Sequence, residues 1–262
     1  MPCGSLVVVG TGIKLSQVSM EARAAIESAD KVFYLVADLI TAAWIAELNP
    51  SAESLHDTYH LGQNRLGSYE EMVLRILTSL SEGLNVCVVF YGHPGVFVYP
   101  AHEAIRRARA TGHKARMLPA VSAEDCLFAD LGVDPATTGC QSFEATDFLL
   151  RKRKFDTACA LVLWQIGVTG ELSFVTRRNL RGVRVLVDYL LTYYQPDHMV
   201  VIYQAAQLPV CDSIMRHVPL AKVPRTRFTS GATLYIPPQP SPPPDPAMLR
   251  RLKIRRTGLR AR

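Results

Sequence analysis

The sequence predicts an α/β protein with two domains and a short tail. Short β-branched runs alternate with amphipathic helices up to residue 118, which is the pattern of a mostly parallel sheet. Beyond Pro119 the alternation becomes irregular, which favours a second domain with a mixed sheet. Seven prolines occupy the ten positions 237–246, and a segment of this composition forms an extended spacer. We therefore expect domains at 1–119 and 120–238, followed by a Pro-rich spacer and basic tail at 239–262.

The first domain opens on a strand, a glycine turn and a capped helix. Residues 5–9 form an apolar run that ends in Gly10-Thr11-Gly12. Ser19 is predicted as a helix N-cap because apolar residues follow it at helical spacing. A strand at 31–36 comes next, and Asn49-Pro50 ends the helix at 40–48.

Glycine and proline also mark the rest of the first domain. Gly83 closes a predicted helix at 69–80, and Pro100 stands in the first turn of a helix that runs to Gly112. The valine-rich run at 85–91 has the composition of a buried parallel strand. The last strand of this domain is predicted at 114–118.

The second domain shows fewer regular alternations. Ser122 is predicted to cap a helix that runs through Leu131. The remaining predicted elements are strands at 158–166, 199–203 and 233–236, a helix at 183–194, and one or two basic amphipathic turns at 248–254.

Charge argues against a nucleic-acid partner. The chain of 262 residues has a formal net charge of +6, but the seven basic residues and single acid of 245–262 account for the whole surplus. A folded domain that binds nucleic acid carries its own basic face. The body of this chain is neutral, so nucleic-acid binding is not favoured.

Cysteine spacing and hydropathy exclude further classes. The six cysteines form no CxxC pair and no cluster with histidine, so neither a metal site nor a disulfide framework is predicted. The apolar runs are far shorter than the ~20 residues that a membrane helix needs. The first residues lack the features of a signal peptide, so we expect a cytoplasmic protein with no membrane partner.

Two glycine loops follow predicted strands. VVVGTG at 7–12 lacks the third glycine of a dinucleotide motif, because position 15 is Leu15; a tight turn explains it equally well. FYGHPGVFV at 90–98 places glycines at the carboxyl end of a sheet strand, where ligands of open α/β sheets bind. His93 alone is also consistent with an ordinary loop histidine.

A third segment, TYHLGQNRLGSY at 58–69, presents Tyr59, Arg65 and Tyr69. An arginine close to a phenol lowers the phenol pKa from its ordinary value of about 10. Such a pair could polarise a carbonyl and accept a proton. Spacing alone equally fits three surface polar residues.

Several motifs in order resemble the tetrapyrrole methylase superfamily, and within it the borosin peptide backbone α-N-methyltransferases. The similarity covers nearly the whole chain up to the spacer. It is specific because several motifs occur together in the same order, although each alone would be weak. The motifs are VVVGTG, SxxAxxxIxxAD at 19–30, YGHPGVF, VSAEDCLFADLGVDP at 121–135, GCQSFEATDFLLRKR at 139–153, LVLWQIG at 161–167, VVIYQAA at 200–206 and ATLYIPP at 232–238.

The resemblance implies a class III S-adenosyl-L-methionine methyltransferase fold, with the cofactor in the cleft between the two α/β domains and S-adenosyl-L-homocysteine as product. Ala232 stands where relatives often have a serine, so one hydrogen bond to the cofactor would be absent. Trp164 stands where some relatives have phenylalanine, a difference that should be tolerated. The implied cofactor residues are Tyr91, His93, Val96 and Phe97 in the first domain and Ser122, Ala123, Gln165, Tyr203, Ala205, Ala232 and Thr233 in the second.

The resemblance also assigns catalysis to Tyr59, Arg65 and Tyr69, without a metal. A peptide nitrogen is a poor nucleophile because its lone pair is delocalised into the carbonyl. Arg65 would stabilise negative charge on the carbonyl oxygen. Tyr69 would accept the amide proton, directly or through water, and Tyr59 would orient the amide.

The fungal members of that family carry their substrate peptide fused after the methyltransferase domain. Here a Pro-rich spacer and basic tail follow the last matched strand, so we expect a split enzyme that acts on a separate precursor peptide. The resemblance implies a homodimer, or a heterotetramer in which the dimer holds two precursor peptides. The tail either contacts the precursor or an acidic partner, or is a disordered solubilising end.

Three alternatives stay open. The same fold methylates carbon atoms of tetrapyrroles and other small molecules. The basic tail would suit an RNA-binding or RNA-methylating protein, whose binding would depend steeply on salt. A scaffold that binds a peptide without modifying it is the third.

Overall fold

The computed structural model describes residues 4–60, 62 and 64–255. The chain forms two compact units. The first unit holds the chain up to Leu131, together with 171–176 and 204–214, and the second unit holds the remainder. No helix of the described residues is long and apolar enough to cross a membrane.

The first unit contains a five-stranded sheet in which all neighbouring strands are parallel, as predicted. The strand order is β3-β2-β4-β1-β5, and every residue of the central strand β4 is buried. The strands are β1 (Ser5–Gly10), β2 (Lys31–Leu35), β3 (Glu53–Ser54), β4 (Val86–Phe90) and β5 (Lys114–Met117).

Helices of the first unit contribute to two separate apolar clusters with the sheet. One cluster holds Ile26 and Ile45 with Val89, and the other holds Met72 and Ala101 with further strand residues. Ser19 caps α1 as predicted, because its Oγ accepts a hydrogen bond from Ala22 N at 3.1 Å. The helices are α1 (Met20–Ser28), α2 (Leu39–Leu48), α3 (Arg65–Ser81), α4 (Tyr99–Ala110) and α5 (Ala123–Leu131).

The second unit contains a mixed sheet, which confirms the prediction for this part of the chain. Its order is β6-β7-β10-β8-β9; β6 and β7 are parallel, whereas β10 is antiparallel to both β7 and β8. Its strands are β6 (Cys140–Glu144), β7 (Ala160–Trp164), β8 (Met199–Gln204), β9 (Ile214–Pro219) and β10 (Thr233–Ile236).

Phe148 and Leu186 contribute to the core of the second unit, where they form one apolar cluster with strand residues such as Leu163. The helices of this unit are α6 (Pro135–Thr138), α7 (Ala145–Leu150), α8 (Leu180–Leu190) and α9 (Pro246–Arg251). The predicted tail turns correspond to α9, and residues 256–262 of the tail lie outside the described residues.

Two boundaries differ from the prediction in ways that affect the site. Helix α3 begins at Arg65 rather than at Tyr69, because Asn64 Oδ1 caps it by accepting from Leu66 N at 3.0 Å. The predicted domain boundary at 119/120 would assign α5 to the second domain, whereas α5 belongs to the first unit. There Gln17 Nε2 donates to Cys126 Sγ at 3.7 Å, so a side-chain contact ties α5 to the start of the chain.

Candidate active site

Tyr59 and Tyr69 face each other in the first unit. Tyr59 follows a 3₁₀ turn at His56–Thr58, and Tyr69 lies near the start of α3. Their rings meet edge to face, with centroids 6.2 Å apart. The ring of Phe174 stacks on the ring of Tyr59, with centroids 4.9 Å apart. The two predicted catalytic tyrosines therefore belong to one aromatic cluster.

Arg65 is held beside this cluster by the segment 171–176. Its Nε donates to Ser173 O at 3.2 Å, and its Nη2 donates to Glu171 O at 3.1 Å. The backbone of Asn64 forms an antiparallel bridge with Ser173. These contacts fix the position of the guanidinium beside the first turns of α3, the helix that also carries Tyr69.

Burial dominates the electrostatics of Tyr59. Burial raises the pKa of the Tyr59 phenol far above its ordinary value, and Tyr69 raises it further. The positive charge of Arg65 acts in the opposite direction but is outweighed. Tyr59 is therefore a neutral hydrogen-bond donor near pH 7, which fits the predicted role of orienting an amide. The predicted acidification of Tyr69 by Arg65 stays a prediction.

The YGHPG loop follows β4 and is anchored to the glycine turn after β1. Tyr91 N donates to Leu35 O at 3.0 Å. Gly12 and Gly92 exchange two backbone hydrogen bonds, at 3.3 and 2.9 Å. A Cβ atom at Gly10 would lie 2.1 Å from Gly92 O, so the glycine of VVVGTG is required for the close approach of the two loops.

The same loop holds a strained residue. Phe97 has a φ of 57°, although it is not glycine, and its side chain is 52% exposed. Such a conformation costs about 1–3 kcal/mol and concentrates at ligand sites. Nearby, Gly95 N donates to His93 Nδ1 at 2.9 Å, so the neutral imidazole of His93 carries its hydrogen on Nε2.

One cavity of about 310 Å³ is lined by members of both the predicted catalytic trio and the predicted cofactor-binding set. Tyr59 and Tyr69 of the predicted catalytic trio line it, and so do Tyr91 and Phe97 of the predicted cofactor set. His56 and Phe174 also line it, and the remaining lining residues are apolar: Leu35, Val36, Ala37, Phe90, Val98 and Pro100. The volume is within the range typical of small-molecule sites.

Five other predicted cofactor residues lie in the first unit but do not line this cavity: His93, Val96, Ser122, Ala123 and Ala205. Ser122 caps α5, since its Oγ donates to Asp125 Oδ2 at 2.7 Å and accepts from Asp125 N at 3.2 Å. Ala123 is the first residue of α5. Ala205 is half-buried in the segment 204–214.

The four predicted cofactor residues of the second unit gather at one edge of its sheet. Gln165 follows β7 in a left-handed conformation with a φ of 55°. Thr233 at the start of β10 pairs with Tyr203 near the end of β8, and Ile166 N donates to Ala232 O at 3.0 Å. The side chain of Tyr203 is only 1% exposed.

Phe174 and His56 also line the cavity but are not among the residues predicted from the sequence. Phe174 is more than a hundred positions from Tyr59 in the chain, and no local pattern announces that pairing. His56 lies two positions before the segment TYHLGQNRLGSY begins, on the turn that leads into Tyr59. Among the described residues, no group of three or more His, Cys, Asp or Glu side chains could hold a metal ion.

Residues 5–221 match the family model of the Tetrapyrrole (Corrin/Porphyrin) Methylases. The chain belongs to this family. The uroporphyrin-III-C-methyltransferase of Thermus thermophilus has a similar structure, with a TM-score of 0.62 and 19% sequence identity over 89% of this chain and 92% of that chain. A likeness at this level of identity concerns the fold, and it confirms the predicted fold class.

Curated relatives with higher identity are fusions of a methyltransferase with a peptide precursor. The gymnopeptides precursor of Gymnopus fusipes is 41% identical over 257 residues, which cover 96% of this chain and 61% of the relative. A type I borosin cyclic peptide precursor of Serendipita vermifera subsp. bescii is 41% identical over 261 residues, covering 96% of this chain and 63% of the relative. The chain thus spans about three-fifths of the length of these relatives.

Proposed function

We propose that this tetrapyrrole methylase family member is an S-adenosyl-L-methionine-dependent α-N-methyltransferase that modifies backbone amides of a precursor peptide in borosin biosynthesis. The observation that carries the proposal is the shared cavity, which Tyr59 and Tyr69 line together with Tyr91 and Phe97. The names of the relatives support a ribosomally synthesised peptide as the substrate class. We further propose that the precursor peptide is a separate molecule and that the enzyme is a homodimer.

We propose that residues of the first unit bind the cofactor. The loop at 91–97 combines an aromatic ring, close backbone approach at Gly92 and a strained Phe97, which are features of a ligand-binding loop. When bound, S-adenosyl-L-methionine would supply an electrophilic methyl group. We propose that Gln165, Tyr203, Ala232 and Thr233 also contribute to cofactor binding, as the family resemblance implies.

In this mechanism Tyr59, Arg65 and Tyr69 each have a separate role. Tyr59 stays protonated, so its hydroxyl can donate to the substrate carbonyl oxygen. The Arg65 guanidinium stabilises the negative charge that develops on that oxygen as the amide loses its proton. Tyr69 receives the amide proton. Because Arg65 and Tyr69 lie on the same helix, α3 fixes their relative positions, and such positioning supplies much of the acceleration in group transfer.

The alternative substrate, a tetrapyrrole, fits the cavity less well. Uroporphyrin-type substrates carry several carboxylates, which require basic partners. None of the described residues that line the cavity is lysine or arginine. Arg65 lies beside the lining, bound to the backbone carbonyls of Ser173 and Glu171, and one arginine can balance one developing negative charge but not several carboxylates. An uncharged peptide backbone suits this aromatic and apolar lining better.

Intact-mass spectrometry of a peptide tests the proposal. A precursor peptide is incubated with S-adenosyl-L-methionine and either the wild-type protein, Arg65→Ala, Tyr69→Phe or the control Tyr193→Phe in the turn after α8. Wild type and control should add about 14 Da per step, since one methyl replaces one amide hydrogen, and the first two variants should add little. Cofactor binding without any gain of mass in the peptide would favour the small-molecule alternative.

A further inference from the structure

The proposed function leaves one proton without a final acceptor. Methylation of an amide nitrogen releases the N–H proton, and a phenol such as Tyr69 can take it only if its own proton moves on. Tyr59 is a poor acceptor for the proton that leaves Tyr69, because burial keeps the Tyr59 phenol protonated. Burial also raises the pKa of Tyr91, although its hydrogen bond with Gln207 opposes this. A further acceptor is needed at this cavity.

His56 has the geometry of such an acceptor. Its Nε2 lies 2.7 Å from Val36 O. A carbonyl oxygen can only accept a hydrogen bond, so Nε2 carries the hydrogen of the neutral ring and Nδ1 keeps a lone pair. His56 lines the cavity with Tyr59 and Tyr69, while the residue as a whole is exposed to solvent. Because it both lines the cavity and is exposed, His56 can pass a proton from the cavity to solvent.

We propose that His56 is the terminal acceptor of the amide proton, an inference that rests on the proposed peptide methylation. The amide N–H bond breaks and an N–CH₃ bond forms, while the electron pair of the broken S–CH₃ bond stays on sulfur. The amide proton passes to the Tyr69 oxygen, and the Tyr69 phenolic proton passes on through water to Nδ1 of His56. The sulfonium charge is lost and an imidazolium charge appears, so the total charge is conserved.

The chemistry of the cavity lining supports this assignment. The titratable side chains among the described lining residues are Tyr59, Tyr69, Tyr91 and His56. Of these, the imidazole is the side chain that offers a basic nitrogen lone pair. A general base of this kind contributes roughly 10²–10⁴-fold to a rate.

Two substitutions of His56 distinguish a role as proton acceptor from a purely structural role of this side chain. In His56→Gln the side-chain amide can still donate to Val36 O, but it offers no basic nitrogen. His56→Ala removes both functions. His198→Gln is the matched control, because His198 also points Nε2 at a backbone carbonyl, Pro237 O at 3.1 Å, in the second unit.

The experiment measures single-turnover peptide methylation by wild type and the three variants, with and without added imidazole. Calorimetric titration with S-adenosyl-L-homocysteine and thermal unfolding are recorded in parallel. We expect His56→Gln to lose about 10²-fold in rate with product binding and melting temperature unchanged. We expect imidazole to restore part of the rate of His56→Ala, and His198→Gln to match wild type.

A His56→Gln variant that keeps the wild-type rate would overturn the inference, and so would the absence of imidazole rescue in a folded His56→Ala protein that binds the product. If the wild-type protein itself fails to methylate the peptide, the proposed function fails instead. The wild-type arm therefore distinguishes the two failures.

Discussion

The ring of Tyr69 stacks on the ring of Tyr99, with centroids 6.0 Å apart and planes 26° apart. The Tyr99 hydroxyl donates to Glu70 Oε1 at 2.8 Å, and the other oxygen of Glu70 binds Arg107 Nη2 at 2.6 Å. Arg107 also binds Glu103 at 2.6 Å. Tyr69 therefore lies between Tyr59 and a second tyrosine that ion pairs of α3 and α4 hold in place.

Removal of the Tyr99 ring should impair catalysis without removing any group that we assign to the chemistry. In Tyr99→Leu the Tyr69 ring loses its stacking partner, and we expect kcat to fall about tenfold or more because small misplacements of reacting groups are costly. Tyr99→Phe keeps the ring and should retain most of the activity. Steady-state kinetics check this; equal kcat values for wild type and Tyr99→Leu would contradict it.

The raised pKa of Tyr59 has a consequence at alkaline pH. The folded protein favours the protonated phenol, so this contribution to stability is present below the ordinary pKa of about 10 and declines as the pH rises above it. The difference in phenolate absorbance between wild type and Tyr59→Phe should show no ionisation until well above pH 10. A transition at or below that value would show that burial does not dominate at Tyr59.

Two glycine substitutions should change stability in opposite directions. Gly10→Ala places a methyl group 2.1 Å from Gly92 O and 2.7 Å from Ala120 Cβ, and we expect unfolding free energy to fall by about 1–3 kcal/mol or more. Gly67→Ala lies in α3 with nothing within 4 Å of the added atom, and it should raise stability by about 0.5–1 kcal/mol. Denaturant unfolding measures both; equal effects would refute the argument from close approach.

The hydroxyl of Tyr194 is buried and has no hydrogen-bond partner among the described residues, and burial raises its pKa to about 12. Tyr194→Phe removes this unsatisfied group while keeping the ring, so we expect stability to rise by about 1 kcal/mol. The neighbouring Tyr193 hydroxyl lies 3.3 Å from that of Tyr189 at the surface, and Tyr193→Phe should change stability little. A loss of stability in Tyr194→Phe, measured by thermal unfolding, would contradict this prediction.

Local signals in the sequence predict most of the first unit. Valine-rich runs mark β1 and β4, Ser19 marks the start of α1, and Pro100 stands in the first turn of α4. The start of α3 was placed too late because Gly67 weakens the helical pattern there, although Asn64 is a normal N-cap.

Several strands and long-range contacts, in both units, were harder to predict for physical reasons. β3 has two residues and β9 is an exposed strand, so neither shows the apolar alternation that identifies a half-buried strand. β7 ends earlier than its apolar run because Gln165 adopts a left-handed conformation. The contacts of Arg65 with 171–173 and of Tyr59 with Phe174 depend on chain folding over long separations, which no local pattern encodes.

Tandem mass spectrometry with a methyl-labelled cofactor tests the central claim most directly. A separate precursor peptide is incubated with the wild-type protein and S-adenosyl-L-methionine that carries a trideuterated methyl group, and the product is fragmented. The account predicts a gain of about 17 Da per step on backbone nitrogens, one label for each amide hydrogen lost, and almost none with Tyr69→Phe. Label on side chains, or transfer to a tetrapyrrole while the peptide stays unmodified, would contradict the account.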